Sequence, residues 1–210
     1  MIYDKNLKDH LQQAYNQHAY ERNQLTKETW KLEVRKYFLS LLKKEQKQSL
    51  LEIGAGTGED SLFFKENGFL TISTDLSDEN IRICRKKGLE AYQMDFYNLD
   101  FPQEHFDAVW ALNCLLHVPK QDIDDVLQGI KRVLKPEGLF YVGVYGGENF
   151  EGFLENDHYR PKRFFSFYTD IAMKEKVSQW FEVIDFKAVN VGAGQYHFQS
   201  MILLNKEHRR

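Results

Sequence analysis

Apolar positions change period in a regular order along this chain. Residues 3 to about 22 are polar and rich in Gln, Asn and Tyr, which predicts a weak helix. Trp30, Val34, Tyr37, Phe38, Leu41 and Leu42 then recur at helical spacing up to a charged Lys43-Lys44-Glu45 end, and predict a strong amphipathic one. Leu50-Leu51-Glu52-Ile53 reads as a strand. Leu62, Phe63 and Phe64 give the next helix a buried face, and Asn67-Gly68 supplies its stop. Leu70 to Thr74 is a second strand ending in Asp75, a helix through Ile81 and Ile83 ends at Lys86-Lys87-Gly88, and Ala91 to Met94 is a third strand. Phe106 to Leu112 is the fourth. Ile123, Val126, Leu127, Ile130, Val133 and Leu134 form an i, i+3, i+4 helix face. Lys135-Pro136-Glu137-Gly138 breaks it, and Leu139 to Tyr145 is a fifth strand.

Five strand-helix alternations predict a parallel sheet with right-handed crossovers. From Gly146 to about Ser166 the pattern stops, and about twenty residues without periodicity suggest a lid or binding loop. Its aromatic content argues against disorder. Residues 167–179 read as a helix, Trp180 to Val189 and Tyr196 to Leu204 as two strands, with Gly192-Ala193-Gly194 turning between them. The expected fold is α/β, a doubly wound, mostly parallel seven-stranded sheet closed by a C-terminal antiparallel hairpin. One domain is expected, with helices in 1–45, a ligand-binding core in 46–145, a substrate-binding loop in 146–166 and a helix with the hairpin in 167–210.

The chemistry concentrates at the end of the first strand. Glu52 is followed by Gly54, Gly56 and Gly58, and glycines at that density permit positive φ and let a ligand lie against the main chain. The dinucleotide pattern G-x-G-x-x-G needs glycine where this chain has Glu59, and the Gly-Lys-Ser/Thr of a P-loop is absent. Glu59 and Asp60 place carboxylates in the first helical turn, which disfavours a pyrophosphate. They suit a cofactor carrying a sulfonium and an amino group, as does Glu52. Asp75, about twenty residues past the glycines at the second strand end, is placed to accept from two ribose hydroxyls.

Glu52-x-Gly54-x-Gly56-x-Gly58 resembles the first motif of the class I S-adenosylmethionine-dependent methyltransferases, and the resemblance extends over roughly residues 45 to 145. The Phe106-Asp107-Ala108-Val109 strand and the Val133-Leu134-Lys135-Pro136-Glu137-Gly138 turn are similar to phrases of that family. It implies a Rossmann-like methyltransferase fold, S-adenosylmethionine as cofactor and S-adenosylhomocysteine as product. It also implies that Asp95 binds the adenine amino group, that the backbone of Phe96 meets the ring, and that the loop from Asn113 closes beneath the methyl donor. Ala55 in the glycine turn and Leu76 after Asp75 complete the expected contacts. The N-terminal helices would act as a lid, with Tyr15 of a Tyr15-Asn16-x-x-Ala19 pattern and Trp30 facing the cofactor.

Methyl transfer needs alignment and no metal. For a hydroxyl or protonated amine acceptor a base must remove a proton, and His117 is the candidate because its pKa lies near neutrality. His158, Tyr159 and Arg163 are candidates for the acceptor pocket, Arg163 favouring a carboxylate or phosphate. His197 alternates with Gln199, Met201 and Leu203 on one strand face and reads as structural.

A chain of 210 residues, 42% of them hydrophobic, suits one full core, and a net charge of −3 gives no general attraction to polyanions. Cys84 and Cys114 form no disulfide framework or zinc spacing. The N-terminus, with Asp4, Lys5, Lys8 and Asp9, has no apolar signal core and no run approaches a membrane span, so a cytoplasmic enzyme is expected. A small-molecule acceptor is the leading expectation. RNA, especially tRNA, is the alternative, with basic faces at Lys31, Arg35, Lys36, Lys43, Lys44 and Lys47 and at Arg82, Arg85, Lys86 and Lys87. Asn113-Cys114-Leu115-Leu116 departs from the Asn/Asp-Pro-Pro-aromatic motif of enzymes that methylate nucleobase amino groups. A nucleotide-binding oxidoreductase and a non-catalytic S-adenosylmethionine-binding protein are the remaining readings.

Overall fold

The computed structural model describes residues 5–191 and 196–206, so the turn expected at Gly192-Ala193-Gly194 lies outside the described residues. Two helices come first, α1 (Lys5–Arg22) and α2 (Thr29–Lys44). Strands and helices then alternate as β1 (Ser49–Ile53), α3 (Glu59–Glu66), β2 (Leu70–Asp75), α4 (Asp78–Lys86), β3 (Glu90–Gln93) and β4 (Phe106–Leu112). A single 3₁₀ turn at Leu115–His117 leads to α5 (Ile123–Val133) and β5 (Leu134–Gly146). Last come β6 (Phe150–Phe153), β7 (Phe164–Phe167), α6 (Asp170–Ser178), β8 (Glu182–Val189) and β9 (His197–Leu204).

The seven-stranded sheet runs in the order β3-β2-β1-β4-β5-β9-β8, its first five strands parallel and β9 antiparallel to both neighbours. Burial of alternate side chains on both faces explains the near-continuous apolar runs of β4 and β5. On one face Phe38 of α2 and Phe64 of α3 pack on Trp110 and Tyr141, whose rings stack at 4.0 Å. On the other, Val126, Ile130 and Val133 of α5 and Val177 of α6 cover Val109, Phe140 and Met201. Strand order reverses between β1 and β4. The crevice at the carboxyl ends of these strands is where ligands bind in open parallel sheets.

Three expectations change. Residues 146–166 are not an aperiodic loop, because β6 and β7 pair as an antiparallel ribbon with Phe150 opposite Phe167 and Phe153 opposite Phe164. Strands of four residues are too short to show alternation, and phenylalanines on both faces hide what remains. With Phe164–Phe167 in β7, α6 starts only at Asp170, where the Thr169 hydroxyl caps it by accepting from Ala172 N–H. Lys135-Pro136-Glu137-Gly138 is an irregular segment within β5, since Phe106 pairs with Leu134 and Ala108 with Leu139. Leu134 therefore belongs to the sheet and not to the helix face.

Candidate active site

Gly54, Gly56 and Gly58 all have positive φ, at 66°, 56° and 80°. This backbone turns β1 sharply into α3, which no β-carbon-bearing residue would adopt cheaply. A β-carbon on Gly54 would lie 2.3 Å from Cys114 Cβ, and one on Gly58 2.5 Å from Leu89, whereas none of the molecule lies within 4 Å at Gly56. Gly56 thus borders open space in the crevice. Gly58 serves packing and the α3 cap instead of a ligand-facing wall.

On the β2 side the crevice is lined by Asp75, Leu76 and Asn80, with Met94, Asp95 and Phe96 beyond them. Asp75 Oδ2 accepts from Gly56 N–H at 2.7 Å, and Oδ1 accepts from Ser77 N–H at 2.8 Å and Asn80 Nδ2 at 3.2 Å. Burial raises the Asp75 pKa against the pull of these donors. Asp95 accepts from the N–H groups of Tyr97 and Asn98, each at 3.0 Å, and forms an ion pair with Lys8 of α1. Leu11, Tyr15 and Arg22 of α1 close the mouth, so about 70 Å³ of free space remains. Pockets that hold drug-sized ligands span roughly 300–1,000 Å³.

A second space of about 480 Å³ adjoins it past Arg22, bordered by Glu52, Gly54, Ala55, Gly56 and Asn113. Asn113 borders both spaces, has φ of 57°, and its buried Oδ1 has no hydrogen-bond partner. Arg22 also borders both; its described polar contact is to the Tyr159 hydroxyl at 3.2 Å.

Glu52 and Asp60 do not act as two free crevice carboxylates. Glu52 accepts from the Ser61 hydroxyl, which accepts from Ser73, and burial with the nearby Asp60 charge pushes its pKa up to about 8. Asp60 accepts from Lys27 at 2.5 Å, Arg35 at 2.8 Å and the Trp110 indole at 3.2 Å. Its charge is matched internally by the α1–α2 connection and α2, which removes it as a reason for rejecting pyrophosphate.

His117 is buried in the 3₁₀ turn with both nitrogens occupied. Nδ1 lies 2.7 Å from the Phe164 carbonyl, which can only accept, so Nδ1 carries the proton. Nε2 then accepts from the Tyr15 hydroxyl at 2.8 Å. Burial drives the His117 pKa down to about 3, and Arg163 and Arg22 push in the same direction against the bond to Phe164. The near-neutral free base expected from the sequence is not what the fold builds.

Arg163 donates to Tyr15 Oη at 3.4 Å, pairs with Asp157 at 2.8 Å and lies 3.7 Å over the Tyr159 ring. Tyr159 and Arg163 therefore reach the crevice through Tyr15 and do not line it. His158 is exposed beside His18. Trp30 packs on Phe198 at 4.4 Å, away from both spaces, so only Tyr15 of the two expected lid aromatics reaches the crevice. Lys8, Arg22 and Asn80 escaped the sequence reading. Lys8 and Arg22 lie in a helix of weak amphipathic pattern, and Asn80 stands three residues past a cap serine like any helix-start asparagine.

A family model described as a methyltransferase domain matches residues 51–142, which carry the glycine turn, Asp75, Asp95 and the β4 loop. Residues 51–142 form a domain of the class I S-adenosylmethionine-dependent methyltransferase family. It is 28% identical over 159 residues to the uncharacterized protein MJ1123 of Methanocaldococcus jannaschii, covering 74% of this chain and 72% of that one. It is 30% identical over 144 residues to the human probable tRNA methyltransferase 9B, covering 67% of this chain but 30% of the human protein. The fold is similar to that of Burkholderia thailandensis 1,6-didemethyltoxoflavin-N1-methyltransferase, solved with 1,6-didemethyltoxoflavin and S-adenosylhomocysteine (TM-score 0.73, 20% identity, 94% of this chain and 88% of that one). The cofactor is S-adenosylmethionine. The methyltransferase crevice fits it chemically: Gly56 leaves room, the partnerless Asn113 Oδ1 suits an ammonium, and Arg22 suits a carboxylate. Among the described residues no helix is long and apolar enough to cross a membrane, and no group of side chains could hold a metal.

Proposed function

We propose that this methyltransferase acts on a small-molecule acceptor. The observation that carries this reading is the double cover of the crevice by α1 and the β6–β7 segment, joined through Tyr15, Tyr159, Arg163 and Arg22. Such a cover leaves a narrow crevice walled by Tyr15 and Arg22, with Tyr159 and Arg163 behind them, which admits a compact molecule more readily than a structured polymer. The small-molecule methyltransferase of similar fold agrees with it.

When bound, S-adenosylmethionine would supply an electrophilic methyl carbon, to which an acceptor lone pair bonds as the carbon–sulfur bond breaks and S-adenosylhomocysteine leaves as a neutral thioether. The protein's part is alignment and exclusion of water, which contribute up to about 7–11 kcal/mol when geometry is right. Asp75 would hold the ribose, Asp95 the adenine amino group, Arg22 the methionine carboxylate and Asn113 Oδ1 the methionine ammonium. Neutral His117 fixes the Tyr15 hydroxyl, and Tyr15 shapes the acceptor wall. His117 is a positioning residue in this scheme.

The human relative with tRNA in its name favours RNA as the second reading. Against it, much of the basic surface is engaged internally: Arg35 on Asp60, Lys87 on the Thr57 carbonyl and Arg85 on the Ala91 carbonyl. Calorimetric titration with S-adenosylmethionine, S-adenosylhomocysteine and NAD tests the donor side. Binding of the first two and no response to NAD is expected; the reverse would sink the reading. A methyl-donor assay against a metabolite extract and against total RNA then separates the acceptors. Methylation of RNA alone, with binding that falls steeply with salt, would replace the small-molecule proposal.

A further inference from the structure

Asn80 stands in the first turn of α4, is 1% exposed, and lines the crevice beside Asp75. Its amide orientation is set by chemistry, because Nδ2 donates at 3.2 Å to a carboxylate oxygen that only accepts. That leaves Asn80 Oδ1, which is buried and has no hydrogen-bond partner. Buried carbonyl oxygens are ordinarily satisfied, so an orphan on a crevice wall points to a missing donor.

The acceptor count on Asp75 says which donor. An ionised carboxylate offers about four lone-pair positions. Ser77 N–H and Asn80 Nδ2 take two on Oδ1, and Gly56 N–H takes one on Oδ2. One position remains, while a ribose presents two neighbouring hydroxyl donors. The adjacent open acceptor is Asn80 Oδ1. We infer that the cofactor's ribose diol is divided between Asp75 Oδ2 and Asn80 Oδ1, making Asn80 a cofactor-recognition residue that also positions Asp75. The inference rests on the S-adenosylmethionine reading of the crevice.

Calorimetry with S-adenosylhomocysteine and its 2′-deoxy and 3′-deoxy analogues tests it on the wild type and on Asn80→Leu, which keeps side-chain volume. In the wild type each missing hydroxyl should weaken binding about tenfold, since each has its own acceptor. In Asn80→Leu one of the two analogues should bind as well as S-adenosylhomocysteine itself, while the other still loses about tenfold. Persistence of both losses in the variant would overturn the inference. Should Asn80→Leu fail to fold by thermal melting, Asn80→Ala is read by the same comparison. Failure of the folded wild type to bind S-adenosylhomocysteine would instead overturn the cofactor reading, and is seen before any variant is made.

Discussion

Asp60 is 3% exposed and accepts from Lys27, Arg35 and Trp110, so three donors depend on one buried carboxylate. Asp60→Ala leaves the Trp110 indole N–H without its partner and Lys27 and Arg35 with only the more distant Glu59, at 4.0 and 3.8 Å, and removal of one member of a buried ion pair costs about 3–5 kcal/mol. Urea unfolding should show that loss. A change below about 1 kcal/mol, the size of a surface pair, would mean that water already screens the cluster. In the sequence Asp60 is one acidic residue at a helix start, and its type and place are plain there. Its three partners come from 25 to 50 residues away and are brought together only by packing α2 on the sheet.

α1 buries Leu11, Ala14 and Ala19 but places none of them in the two main cores over the sheet, and its long-range side-chain bonds are polar. Lys8 pairs with Asp95, Asn16 donates to Asp78 at 2.7 Å and accepts from the Ser77 hydroxyl at 2.5 Å, and Arg22 donates to Tyr159. About 70 Å³ lies free beneath it, less than ligand pockets usually offer, and an outward movement of α1 would widen the crevice for a cofactor. Elements held by few apolar contacts open at low free-energy cost. Hydrogen exchange should therefore show α1 amides exchanging faster than those of β4 and β5, and S-adenosylhomocysteine slowing α1 selectively. Equal protection with and without ligand would argue for a rigid α1. The polar composition of residues 3–22 already marks this helix as weakly anchored. It does not reveal that Lys8 meets Asp95 or that Asn16 meets the α4 cap, because those contacts span 87 and 61 positions.

At the scale of the whole molecule, two buried groups make stability depend on pH in opposite directions. His117 titrates at about 3 when folded, against about 6.5 unfolded, so between these values the unfolded chain holds more protons. Its contribution is fully present above about pH 6.5 and is lost as pH falls toward 3. Glu52 titrates near 8 when folded, against about 4.3 unfolded, and its contribution is lost as pH rises through that window. Glu52→Gln should remove that alkaline loss, so between about pH 5 and 8 its urea midpoint should fall less than that of the wild type. A larger fall in the variant would reverse the sign assigned to Glu52.

The alternation of strands and helices, the glycine turn and Asp75 at a strand end are local, periodic features. The order of apolar positions was therefore sufficient for the parallel core and its crevice end. It was not sufficient for the β6–β7 ribbon, whose four-residue strands are held by pairing and not by pattern. Nor could spacing tell that His117 is buried with both nitrogens used, because the Tyr15 hydroxyl and Phe164 carbonyl that use them lie 102 and 47 residues away. Trp30 shows the same limit in reverse: an aromatic at the right end of the chain, turned by its helix onto Phe198. The sequence by itself determined the class of fold and the donor side of the chemistry, since both rest on backbone turns and residues close in the chain. Tertiary structure alone decided which carboxylates are free, which histidine can take a proton and which asparagines have an unmet acceptor, because burial and long-range partners set those properties.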